Sequence, residues 1–358
     1  MKIGRLLIAT VTAAFALLGT TTISAQDIHF SQFYSSPLNL NPAATGVMSC
    51  DMRVTAIYRN QWGAIMGANA YNTFSAGVEG KFRAGTYDYY GVGLNVATDK
   101  AGASKYAQTQ VSLSASYLKR LGGRRSNEQY LVAGGQLGIS QRGFNTDGLQ
   151  FGDQFMGDGF NSAIGTQEVF TQTRTTYADF NVGLMYFAAL DPKGKSTYYV
   201  GLSFAHLTRA NLALLRDGQD PLYMKYTIHG GGDFRVARRF AVVPHFAVHF
   251  QGPSVQSMFG SSFKFDLSKR AQSDQAFAIG AYTRIVTAQD SLGNAKGAGT
   301  DALMLTARVT FGSHNVGLSY DVNISKLKAA SRGNGAIELS YVYTMCGGRK
   351  KPMPCPTF

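Results

Sequence analysis

Val111-Ser112-Leu113-Ser114-Ala115-Ser116-Tyr117 alternates apolar and small polar residues without a break. A period of two puts successive side chains on opposite faces of an extended strand, so one face meets an apolar medium. The period recurs along the chain. Phe180, Val182, Leu184 and Tyr186 share a face, as do Tyr198, Val200, Leu202 and Phe204. Phe259, Phe263, Phe265 and Leu267 repeat it, followed by Leu303, Leu305, Ala307, Val309 and Phe311. Val316, Leu318, Tyr320, Val322 and Ile324 continue the pattern, and Ile337, Leu339, Tyr341 and Tyr343 close it.

The opposite face separates the fold classes. A soluble sandwich would show a charged outer surface there. Here the alternate positions are mostly Gly, Ser, Thr, Asn and Gln, with scattered ions at Glu79, Lys81, Lys225, His229, Lys264, Arg284, Arg308, Asp321 and Glu338. Small polar residues with a few ions suit a hydrated lumen, and the Tyr, Phe, Leu and Val face suits lipid with aromatic belts. The 41 Gly and 19 Tyr fit that reading. The pattern predicts an all-β, transmembrane antiparallel β-barrel of about 14 strands. The expected spans are 52–60, 72–83, 89–98, 107–119, 129–142, 176–188, 197–207, 222–236, 239–250, 255–267, 275–287, 301–312, 314–324 and 335–345. Pro244 inside the ninth is a local warning, because proline cannot donate to a ladder.

The chain has 358 residues and a mean hydropathy of −0.08, too polar for a bundle of membrane helices. Its one long apolar stretch, 6–23, follows Lys2 and Arg5 and exits through Ser24-Ala25-Gln26, which reads as a cleavable signal peptide over 1–25. No Cys follows the cut, so a lipid anchor is not indicated. Removing Lys2 and Arg5 lowers the net charge from +13 to +11. An exported basic chain meets anionic headgroups, acidic solutes or acidic proteins rather than nucleic acid. Export permits disulfides. Cys346 and Cys355 flank a flexible Gly/Lys/Pro tail and can close into a small ring, which leaves Cys50 over; other pairings stay open. The expected division is a signal peptide (1–25), a periplasmic N-terminal segment (26–50), an outer-membrane barrel (51–346) and a periplasmic tail (347–358).

The connections give an independent check. With the N-terminus in the periplasm, even-numbered connections are short (84–88, 237–238, 313) and several odd-numbered ones are long (143–175, 208–221, 287–300, 325–334), the barrel rule of short periplasmic turns and long outer loops. The ninth, at Gly252-Pro253, breaks the alternation by being short.

Nothing in the motifs points to catalysis or to a cofactor. The chain has no nucleophile elbow and no phosphate loop. His245 and His249 share a strand face but sit about 13 Å apart, too far for one metal. The acidic Gly152-Asp153 and Gly157-Asp158-Gly159 steps lack calcium-loop spacing. With Phe151, Phe155 and Phe160 they read instead as an ordered outer loop suited to a partner or to closing a pore. Lys225, Lys264, Arg284 and Arg308 allow an alternative, an anion-biased channel.

The most distinctive local run follows the signal: Gln26-Asp27-Ile28-His29-Phe30-Ser31-Gln32-Phe33-Tyr34-Ser35-Ser36-Pro37-Leu38-Asn39-Leu40-Asn41-Pro42-Ala43-Ala44-Thr45-Gly46. It is too Pro-broken for a strand and too aromatic for a disordered leader. It must fold against the periplasmic mouth, the barrel interior or a partner. Arg59-Asn60-Gln61-Trp62 ends the first strand with the only Trp, either an interface anchor or a partner contact. These two runs, with Gly317-Leu318-Ser319-Tyr320-Asp321-Val322-Asn323, Glu338-Leu339-Ser340-Tyr341 and the ending Cys355-Pro356-Thr357-Phe358, resemble the PorP/SprF family of Bacteroidetes outer-membrane proteins. The resemblance implies a non-enzymatic role in type IX secretion and gliding motility. Such a barrel helps export or anchor a secreted adhesin-like protein at the surface, or links periplasmic secretion components to the outer membrane. On that basis Gln26, Asp27, Phe30, Ser31, Gln32, Pro37, Asn41, Pro42, Gly46, Arg59, Gln61 and Trp62 are expected at a docking or plug element. Phe151, Asp153, Phe155 and Phe160 are expected at the secreted partner.

Overall fold

A strand that crosses hydrocarbon finds no water for its edge, so a membrane sheet has to close on itself. The computed structural model describes residues 27–347 except 123–127, 146–148, 157–158, 162, 168–172, 191–195, 214–218, 268–274 and 290–294, together with Met353, Cys355 and Pro356. The stretch expected as a signal peptide, Gln26, Gly157 and Asp158, and most of the C-terminal tail lie outside the described residues.

Fourteen antiparallel strands form one closed barrel: β1 Met52–Gln61, β2 Tyr71–Arg83, β3 Tyr89–Ala101, β4 Tyr106–Gly122, β5 Gln129–Gly143, β6 Arg174–Ala189, β7 Thr197–Ala205, β8 Lys225–Ala237, β9 Phe240–Gln251, β10 Ser254–Asp266, β11 Gln275–Gln289, β12 Ala295–Phe311, β13 His314–Asn323 and β14 Asn334–Met345. Each pairs with its chain neighbour, and β1 pairs with β14 from Met52↔Met345 to Gln61↔Ala336 to close the ring. The apolar face points outward, with Leu113 65% exposed, while the ions noted on the other face point into the lumen. One rim carries the even-numbered turns, of at most eight residues, and the other the long loops 144–173, 206–224 and 324–333 together with short connections at 102–105, 252–253 and 290–294. The last is reduced from the expected 287–300 because β11 and β12 extend into it.

Two differences from the periodicity are instructive. β12 starts at Ala295 rather than 301, because its first residues pair with the last residues of β11, from Ile285↔Thr300 to Gln289↔Ala295. Backbone pairing there needs no apolar face, so no alternation marks it. Pro244 does lie in β9. Pairing with β8 lapses between Gly231↔His245 and Phe234↔Val242, opposite the proline, while Pro244 stays in register with Ser261 of β10. A missing N–H costs only one of the two ladders.

The disulfide expectation is corrected. Cys50 bonds to Cys346, and Cys355 is the free cysteine. Closure of the ring pairs Met52 with Met345, so the residues just outside the two strands meet at the seam. Cys355 packs instead among the buried residues of the short-turn mouth, where burial pushes its thiol up to about 11.

Candidate functional site

Residues 27–50 fill the barrel. The block expected as a periplasmic segment lies inside the lumen, and the hydrated interior suggested by the small polar face is occupied by protein. It starts at the long-loop rim, where Asp27 meets His206 just past β7, Lys225 at the head of β8 and Gln251 at the end of β9. It ends at the short-turn rim, where the Lys81 ammonium donates to the Met48 carbonyl. Between them the chain makes short turns: a 3₁₀ turn at Phe33–Ser35, a helical turn at Pro37–Leu40 and another 3₁₀ turn at Pro42–Ala44. Proline opens the last two, where its missing N–H is harmless. The Asn41 side chain caps the third by accepting from the Ala43 N–H at 2.8 Å.

Such a chain has few backbone partners of its own, and buried polar groups left unpaired cost about 1–3 kcal/mol each. The inward strand residues supply the partners. The Ser31 and Gln32 N–H groups donate to the two Glu338 oxygens at 2.8 and 2.7 Å. The Ser31 hydroxyl donates to Asp321 at 2.8 Å. Arg59, 2% exposed, contacts Ser31 Oγ and pairs with Asp321 at 3.0 Å and Glu338 at 3.3 Å. Gln61 accepts from Arg59 at 3.2 Å. Asn39 donates to Ser75 on β2 and accepts from Asn95 on β3. The Asn41 amide donates to the Leu184 and Leu202 carbonyls and lies 2.9 Å from His229 Nε2. Thr45 reaches Ser114, and the Gly46 N–H donates to Glu79, which also accepts from Arg53 at 2.7 Å. Gly46 has a φ of +72°, the left-handed region that suits glycine.

Apolar packing completes the fill. Ala43, Ala44 and Val47 lie against Leu118, Val132, Met185 and Phe187 of the wall and Met353 of the tail. Phe33, Tyr34 and Leu40 pack with Ala247, Met258, Tyr282 and Met304. The Tyr34 ring stacks on His245 at 4.6 Å, with the Arg308 guanidinium 4.8 Å from its centroid. At the long-loop mouth, burial alone would lower the His206 pKa, but the Asp27 and Asp179 carboxylates raise it to about 9. Burial likewise works against the charged Asp27, and Lys225 and His206 outweigh it and hold its carboxyl well below the usual range.

The expected site residues therefore divide. Asp27, Phe30, Ser31, Gln32, Pro37, Asn41, Pro42, Gly46, Arg59 and Gln61 come together in the lumen. Trp62 does not join them. It sits half-buried at the long-loop rim, its ring edge-on to Tyr71 at 5.3 Å. Phe151, Asp153, Phe155 and Phe160 belong to a separate loop between β5 and β6. There a small ribbon pairs Phe155 with Phe160 and Met156 with Gly159, leaving Phe155, Met156 and Phe160 exposed. Asp153 accepts from Thr166 Oγ1 at 3.1 Å and so braces the loop from within. Gly91 and Gly134 were not singled out by sequence. A Cβ on either would lie 2.5 Å from a plug carbonyl, that of Thr45 or Pro42. Inward strand parity marks the face such glycines sit on, but not which of them meet the plug. Among the described residues no cluster of His, Cys, Asp and Glu could hold a metal.

The sequence profile of the family described as "Type IX secretion system membrane protein PorP/SprF" matches residues 22–343. No curated protein matches. Solved structures of similar fold include CdiB from Acinetobacter baumannii, at 6% identity over 83% of this chain and 60% of that one, with a TM-score of 0.42. CdiB from Escherichia coli gives 9% identity over 81% of this chain and 62% of that one, with a TM-score of 0.44. The Ralstonia pickettii toluene transporter TbuX gives 10% identity over 92% of this chain and 100% of that one, with a TM-score of 0.46. This chain thus spans about three fifths of the two CdiB chains. With the profile covering nearly the whole of a closed, lipid-faced barrel, the chain belongs to the PorP/SprF family of type IX secretion system membrane proteins and is an outer-membrane β-barrel.

Proposed function

We propose that this barrel serves type IX secretion as a closed, non-enzymatic holdfast, assisting the export or surface anchoring of a secreted, adhesin-like protein. The observation that carries this is the plug: residues 27–50 occupy the lumen and are bonded to strands around the ring, so the rims and loops remain as working surfaces. The short-turn rim faces the periplasm and the long loops face outward. The exposed Phe155, Met156 and Phe160 ribbon then meets the secreted partner, its aromatic anchors held by Asp153 and Gln154 rather than left floppy.

The anion-channel alternative fares worse. Lys225 pairs with Asp27, Lys264 with Asp233, Arg284 with Asp301 and Asp321, and Arg308 lies over Tyr34. Cations so engaged do not line an aqueous path. Two measurements test the proposal. The reconstituted barrel should be silent in planar bilayers, and replacing 151–160 by a Gly-Ser linker should abolish co-purification of the secreted partner from native membranes. Steady anion-selective conductance, or unchanged co-purification, would overturn it.

A further inference from the structure

The two-residue turn between β8 and β9 is Arg238-Arg239, and both side chains are exposed on the short-turn rim. Its backbone is fixed from both sides. Arg235 pairs with Asp266 and donates to the Arg238 carbonyl at 3.2 Å, while the Asp266 N–H donates to the Arg239 carbonyl at 2.9 Å. Asp266, the acid that holds this turn, is thereby paired with Arg235, and the Arg238 and Arg239 side chains stay exposed on a turn fixed by these contacts. Directly beside them on the outer wall, Phe240 stacks on Phe263 and lies against Phe265, ring centroids 6.0 and 5.1 Å apart. Val236 is 68% exposed on the same wall.

We propose that this turn binds an anionic glycerophospholipid of the apposed leaflet, its phosphate held by Arg238 and Arg239 and an acyl chain lying along Phe240, Phe263 and Phe265. The surface is continuous with the lipid-facing wall, which sets the occupant's apolar part. Two cations on one turn set its charge. Guanidinium matches phosphate through paired N–H donors. A zwitterionic headgroup carries its own ammonium, which competes for that phosphate, so net-anionic lipid is preferred. The site depends on the barrel lying in a membrane and not on the partner assigned to the outer loop.

The test is native mass spectrometry of the full-length barrel released from nanodiscs of equal parts phosphatidylglycerol and phosphatidylethanolamine. Phosphatidylglycerol should be enriched among the retained lipids. A basic residue near an anionic surface contributes about fivefold, so Arg238→Gln with Arg239→Gln should cut the enrichment about 25-fold. Lys326→Gln with Lys328→Gln removes equal charge from the opposite rim and should leave it unchanged. Should the double arginine variant fail to fold, Arg238→Gln alone keeps the turn's backbone contacts and should give about a fivefold loss. Absence of enrichment in the native protein overturns the proposal. So does an equal loss in both double variants, or capture of an acidic protein through these arginines with no lipid preference.

Discussion

Arg59→Ala should loosen the plug and destabilise the whole barrel by about 3 kcal/mol, the lower end of the range for breaking a buried ion pair from one side. The figure follows from what each carboxylate keeps. Asp321 retains the Ser31 hydroxyl at 2.8 Å and Arg284 at 3.2 Å. Glu338 retains the Ser31 and Gln32 N–H groups at 2.8 and 2.7 Å. Neither is stripped bare, so the loss falls short of the 5 kcal/mol that a fully stranded charge approaches. Trp62, the only tryptophan, lies three residues further along the chain, just past the end of β1, half-buried at the rim. Its fluorescence during urea titration of the reconstituted barrel reports the change. Pairing Arg59→Met with Glu338→Gln removes one charge of each sign and should recover at least half of the loss. A change below about 1 kcal/mol in Arg59→Ala would refute the idea that this arginine ties plug to wall.

Three further outcomes are expected. Gly134→Ala puts a Cβ 2.5 Å from the Pro42 carbonyl oxygen and 2.6 Å from the Ala43 nitrogen, both backbone, and should cost about 1–3 kcal/mol, whereas Gly152→Ala, with nothing within 4 Å, should be near neutral in the same titration. The His206 pKa is raised to about 9 from an ordinary 6.5, so its contribution, of order 3 kcal/mol, is complete below pH 6.5 and is lost as pH rises through 9. The urea midpoint should fall over that window and His206→Gln should flatten the fall; a native midpoint that holds to pH 10 contradicts the ion-pair account. Cys50→Ser opens a bond spanning 296 residues and should cost about 2–5 kcal/mol. It should also abolish the mobility difference between reduced and non-reduced heat-unfolded protein on gels.

Strand number, strand placement and the outward face were legible in the sequence because each is local. A side chain's parity within its own strand decides whether it meets lipid, so Leu113, Leu202 and Leu339 declare their face without reference to any other strand. The lumen charges were legible for the same reason, though not their partners. The aromatic, Pro-broken block at 26–46 announced that it must fold against something, and the chemistry of its residues could not choose between mouth, interior and partner.

Ring closure decided the rest. It set Cys50 beside Cys346 across 296 residues, where spacing along the chain favoured Cys346 with Cys355. It gathered Arg59, Asp321 and Glu338 from β1, β13 and β14 around Ser31, and it made Gly91 and Gly134 two of the wall positions against which the plug backbone packs. By itself the sequence determined a lipid-facing barrel, because burial of alternate side chains is a property of each strand. Only the tertiary structure decided that the barrel is filled, because filling depends on residues from opposite ends of the chain meeting inside a closed ring.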